Sequence, residues 1–203
     1  MTRTAFKGRA RQAGGAAVEF ALVAIIFFTV VFGTLELARF EYLLNTLQEV
    51  TRRAAAGAAN ADYRDASALN AVRANAVFRD SPGPLGLGHP VTSDHVTIDY
   101  LSVSKTTWDL HHMSTLPACP AGNKSNCMTD PHADNCIRFV RARICTSMDS
   151  AGECERLPYQ MVFPFFDLSG YRLPRAETIV PAGSLGATIG SIRKAALARR
   201  AGS

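Results

Sequence analysis

Apolar and charged positions divide this chain into unlike parts. Phe20 to Leu35 (FALVAIIFFTVVFGTL) is an uninterrupted uncharged run between Glu19 and Glu36. As a helix, Gly15 to Ala38 would be about 36 Å long at 1.5 Å per residue. That crosses a hydrocarbon core of about 30 Å with some tilt. The segment that follows, Glu36-Leu37-Ala38-Arg39, is a poor signal-peptidase site, which argues against a cleaved secretory signal. A helix buried in a soluble domain would rarely carry Ile25 to Phe28 and Val30 to Phe32 in one block behind a basic leader. From Leu37 the pattern becomes amphipathic, with Leu37, Phe40, Leu44, Leu47, Thr51 and Ala54 at spacings of three and four. The opposite face carries Glu36, Arg39, Asn45, Gln48, Glu49 and Arg52, and Glu49 stands four residues before Arg53. No proline interrupts Gly15 to Ala59. The pattern predicts one continuous helix over 15–59, membrane-spanning in its first part and amphipathic in its second.

Beyond Asn60 the pattern becomes that of a small globular unit. Asp65 to Arg79 reads as a second helix, with Asp65 as its N-cap and Leu69, Val72, Ala76 and Val77 on one face. Ser81 to Pro90 is rich in Gly and Pro and reads as a loop. Val96, Ile98 and Tyr100 alternate with His95, Thr97 and Asp99, as in a half-buried strand. A polar stretch runs from Thr106 to Asn135. Cys136 to Thr146 and Pro158 to Asp167 read as further strands, and Glu177 to Val180 as a last one. The expected class is α+β: a long N-terminal transmembrane helix leading into a small extracytoplasmic domain with a short helix and an antiparallel sheet. The predicted division is a leader over 1–14, the long helix over 15–59, the α+β domain over 60–190 and a basic tail over 191–203.

Charge adds direction. The chain has a formal net charge of +5, and Arg3, Lys7, Arg9 and Arg11 lie in the first 14 residues with no acid among them. Basic flanks are retained in the cytoplasm, which predicts that the N-terminus is inside and the globular part outside. Removing those four cations from the 22 Lys and Arg residues leaves 18, against 17 Asp and Glu. The remainder is nearly neutral and offers no basic stripe for phosphates, so a nucleic-acid partner is not expected. Glu19 is the anomaly. A carboxylate at the mouth of a membrane helix is costly, and it marks a functional position unless it merely snorkels to water.

Gly14-Gly15-Ala16-Ala17-Val18-Glu19-Phe20 resembles the processing motif of type IV prepilin-like proteins: Gly, four residues, Glu, then an aromatic. The continuation through Phe32 to Arg39, and Arg52 to Ala58, is similar to the TadE-like segment of Tad (Flp) pilus assembly systems. Ala24 stands where many members carry a kinking proline, so a straighter helix is expected. The resemblance covers about residues 11 to 59. It implies cleavage between Gly14 and Gly15 by a prepilin peptidase, with Gly15 as the new N-terminus. Glu19 would then neutralise that ammonium or a neighbour's, and Phe20 would pack beside the pair. A minor pseudopilin in the bacterial inner membrane is implied, with a periplasmic domain and with other pilin subunits and the pilus assembly platform as partners. Incorporation into a pilus is a further implication. An unprocessed accessory membrane protein of the same type is the alternative.

Cys119, Cys127, Cys136, Cys145 and Cys154 all follow the membrane segment, at spacings of eight or nine residues that suit neither CxxC redox pairs nor zinc ribbons. An oxidising compartment favours disulfides, an odd count leaves one thiol over, and the pairing stays open. A zinc site from His111, His112, Cys119 and His132 is conceivable but matches no structural zinc spacing. There is no GxSxG, HExxH or Walker motif. Gly183 to Gly190 reads as a mobile glycine-rich linker, and Asp130, Asp134 and Asp149 are scattered. No cofactor or catalytic residue is expected. The rival from another class is a signal-anchored periplasmic enzyme or binding protein with its site among His111, His112 and the cysteines. The tail Ser191 to Arg200 is basic and amphipathic, a solvated helix end or a contact for anionic lipid.

Overall fold

A computed structural model describes residues 13–148, 153–163 and 170–187. The leader over 1–12, Asp149 and the tail over 191–203 lie outside these residues, as does 164–167 of the expected strand at Pro158 to Asp167. Helix α1 runs unbroken from Ala13 to Ala58. Its apolar window has a mean hydropathy of 2.4 and none of it is buried, so the helix is long and apolar enough to cross a membrane. Thr29 and Thr34 each donate their hydroxyl to a carbonyl of the preceding turn, at Ile25 (2.7 Å) and Val31 (2.8 Å). Neither hydroxyl is left unpaired.

The second half of α1 is encased. Leu43, Leu47, Val50, Thr51, Ala54, Ala55 and Ala58 are buried. The stripe thus keeps Leu47, Thr51 and Ala54 of the expected set, whereas Leu44 is half-buried and Leu37 exposed. Around this half folds a head made of α2 (Ala66–Ala76), β1 (Val96–Val103), β2 (Leu110–His112), α3 (Pro120–Thr129), β3 (Phe139–Ile144) and β4 (Glu177–Pro181). The strands form one antiparallel sheet in the order β2-β1-β3-β4. The architecture is α+β.

Alternation sets which face of the sheet meets the helix. Val96, Tyr100, Val140, Ala142 and Ile144 join the two apolar clusters containing α1, and the Thr178 hydroxyl meets that of Thr51 at 2.9 Å. One cluster gathers Leu43, Leu47, Leu85, Val96, Leu157 and Tyr159 nearest the apolar half of α1. The other gathers Ala58, Tyr63, Tyr100, Met113, Ile137 and Leu185 at the far end. Asp65 caps α2 as expected, accepting from Ser67 N (2.9 Å) and Ala68 N (3.3 Å). Gly57 lets α2 approach closely: a Cβ there would stand 3.0 Å from Val72.

Two expectations need correction, and the polar stretch Thr106 to Asn135, to which no element was assigned, holds β2 and α3. α3 is polar, and it is tied down by Asn123, which accepts from Ile137 N at 2.8 Å, and by the Cys127–Cys136 disulfide. The described part of Pro158 to Asp167 is not a strand; Pro158 makes a single bridge to Arg172. Gly183 to Ala187 is no loose linker. Gly183 N and Leu185 N donate to Ala59 O (both 3.0 Å), and Gly186 N to Asn60 O (2.9 Å), satisfying carbonyls at the end of α1. Gly186 has φ +81°, and a Cβ there would meet Asp62 at 2.6 Å, so glycine is required.

Candidate functional site

The apolar run of α1 ends at Glu36, and the head closes over this residue. Glu36 is 6% exposed. Its Oε1 accepts from the Tyr159 hydroxyl and from Arg39 Nη1 (3.2 Å), and its Oε2 from the backbone N–H groups of Val162 (3.2 Å) and Phe163 (3.4 Å). A carboxylate has about four acceptor directions, and four donors meet them here. Burial and the adjoining carboxylate push the Tyr159 hydroxyl up to about 12, so it remains a donor throughout the physiological range.

Arg39 extends the arrangement. Its Nε donates to Leu87 O (3.0 Å), Nη1 to Gln160 O (2.8 Å) and Nη2 to His89 O (2.6 Å), while its guanidinium lies 5.4 Å from the Tyr159 ring centroid. Tyr42 donates to Gly86 O (3.0 Å). One ion pair on one turn of helix thus fixes two loops, 85–90 and 159–163, by their backbones. Both charges were expected on the solvent face of the helix; they are instead the clamp between α1 and the head. Phe40 packs edge-on against Tyr159 and Tyr171, and Phe163 stacks on Phe32 at 4.8 Å. Beside the clamp, Gly33, Leu37, Phe40, Met161 and Tyr171 line an apolar cleft of about 320 Å³.

The expected processing positions lie elsewhere. Gly14 and Gly15 sit in the first turn of the described helix, and Glu19 and Phe20 are exposed on its apolar half, Phe20 by 75%. Gly15 and Glu19, four apart, share one face. No part of the head reaches them among the described residues.

The cysteines pair as Cys127–Cys136 and Cys145–Cys154, each nine residues apart. Cys119 is free and exposed at the N-cap of α3, where its sulfur accepts from Gly122 N (3.2 Å). His111 and His112 line an open cleft of about 580 Å³ with Ser102, Ser114 and Asp134; Cys119 and His132 are not among its lining residues. Among the described residues no group of three or more His, Cys, Asp or Glu is placed to hold a metal ion. On the sheet face away from α1, Asp99 is buried and accepts from Arg141 Nε (3.1 Å) and Arg143 Nη2 (2.7 Å), its neighbours across β3.

The geometry therefore offers a helix long and apolar enough to cross a membrane, a clamp where its apolar run ends, and a disulfide-stapled head. Residues 14–56 match the family model for TadE-like protein. That segment covers Gly14, Glu19, Phe20, Glu36 and Arg39, and ends two residues before α1 does. The head beyond it lies outside the match. No curated protein and no solved structure matches the chain significantly. A TadE-like segment on an exposed apolar helix fits a membrane-anchored protein associated with a Tad pilus.

Proposed function

We propose that this chain is a minor pseudopilin of a Tad-type pilus, cut between Gly14 and Gly15 and assembled through its N-terminal helix. It sits in the bacterial inner membrane with the basic leader in the cytoplasm and the head in the periplasm. The observation that carries the reading is the TadE-like match beginning at Gly14, the residue on which the Gly-x4-Glu-Phe spacing converges. Cleavage would create an ammonium at Gly15 in a poorly solvated place. Glu19, one turn away on the same face, would neutralise it in the same subunit or in the next one. The function is structural: the helix packs and the head presents a surface, with no catalytic step.

The test is the N-terminal mass of the protein isolated from membranes containing a prepilin peptidase. A mature chain starting at Gly15, replaced by full-length chain in Gly14→Ala, is the expected result. An intact N-terminus in the unsubstituted protein would overturn the processing and leave an unprocessed TadE-like accessory protein.

A further inference from the structure

The apolar surface does not end where the helix meets the head. Phe163 stacks on Phe32, which lies one turn before Glu36, about 6 Å further toward the apolar half at 1.5 Å per residue. The head's 161–163 loop therefore passes Glu36, the charge that ends the apolar run, and reaches the level of Phe32. From this level up to Arg39, whose Nε holds the Leu87 carbonyl, large side chains stand exposed: Val162 by 58%, Leu37 by 59% and Leu87 by 80%. Tyr42 and Tyr171 are partly exposed beside them, aromatic groups of the kind favoured where hydrocarbon meets headgroups. Glu36 and Arg39 turn inward and are satisfied there, so neither presents a bare charge at this level. Glu41, one turn beyond Leu37, is the first exposed acid of α1 after Glu19. The boundary between apolar and wet surface thus falls between Leu37 and Glu41 on the helix, and the loop tips continue it onto the head.

We propose that this collar of Leu37, Val162, Leu87, Tyr42 and Tyr171 seats in the lipid bilayer, at the acyl–headgroup boundary of the leaflet on the head's side. The head then lies against the membrane and does not stand off on a bare helix. Lipid is the occupant because the collar is continuous with a surface that already requires it: α1 carries exposed apolar side chains up to Leu37, and the Phe163 loop shares their level. The inference rests on the membrane-spanning reading of α1.

The experiment uses the full chain in vesicles of phosphatidylcholine and phosphatidylglycerol whose acyl chains are brominated near the headgroup. Bromine quenches tryptophan on contact. Val162→Trp and Leu87→Trp are each made in a Trp108→Phe background. The unsubstituted protein serves as the distant reference, since Trp108 is at the β1–β2 turn, beyond the end of the sheet that packs at Ala58. Retention of one free thiol, that of Cys119, reports that the disulfides of each variant have formed. The expected result is loss of most of the emission in both variants and little loss for Trp108. Quenching of both no greater than that of Trp108, in protein that resists alkaline extraction, would overturn the collar while leaving the anchor intact. Emission that changes with protein-to-lipid ratio but not with bromine would also overturn it, in favour of a second copy as the cover. Protein released by alkaline carbonate would overturn the membrane reading itself, and the collar with it.

Discussion

The two halves of α1 share one backbone and one secondary structure, yet they solve opposite problems. Before Glu36, Phe20, Leu22, Val23, Ile25, Ile26 and Phe27 all stand exposed. After it, Leu43, Leu47, Val50 and Ala54 are shut inside the head. The side chains differ accordingly. From Phe20 to Leu35 the first half is uncharged on every side, as a surface facing hydrocarbon must be, while the second is apolar on one stripe and polar on the other. Helix continuity says nothing about which solvent each half meets; the distribution of charge around the axis does.

The largest expected effect lies at the boundary. Glu36→Ala would leave the Tyr159 hydroxyl and two backbone N–H groups without their acceptor, and Arg39 held by carbonyls but without its counter-charge. Breaking such a buried pair costs about 3–5 kcal/mol. Denaturant unfolding of the reconstituted protein, followed through Trp108 emission, should show that loss; a change below about 1 kcal/mol would mean the clamp is replaceable by water. A contrast within the helix comes next. Leu47→Ala should cost the head about 2–5 kcal/mol through lost transfer energy and the cavity left behind. Ile26→Ala, on the exposed half, should leave the same unfolding curve unmoved, and an equal loss in both would erase the distinction between the halves. The smallest effect is expected on the wet side of the packed half. Glu49 pairs with Arg52 at 2.7 Å and Arg53 at 2.9 Å in solvent, where water and salt screen such pairs and little stability comes from them. Glu49→Gln should therefore shift the midpoint only slightly, and less again at high salt.

Local pattern made much of this molecule readable. The length of α1, the Asp65 cap and the strands at Val96, Phe139 and Glu177 follow from periodicity and turn chemistry, because each is decided by neighbours a few residues away. What was not readable depends on distant partners. Glu36 and Arg39 look like solvent-facing charges when only helix spacing is considered. Their burial is set by Tyr159, Gln160 and Val162, more than 110 residues on. β2 is a three-residue edge held by register alone, and α3 has no apolar stripe to announce it. The disulfide pairing was open for another reason: five nearly evenly spaced cysteines allow many pairings, and the fold selects two between cysteines nine residues apart. Glu36 did leave a trace in the sequence, as the charge that stops the apolar run. Its partners left none.

The two fastenings on α1 have a mechanical consequence. Glu36 and Arg39 hold the head at one end of the packed half, and the Gly183–Gly186 segment pins it at Ala59 and Asn60. These grips are separated by about 22 residues, or roughly 33 Å of helix. A rod held at both ends of its sleeve cannot spin inside it. Any contact that turns the apolar half about its axis must swing the head through the same angle, and any contact that draws it along the axis must carry the head the same distance. The bearing of the head around the rod is therefore dictated by whatever grips the other end.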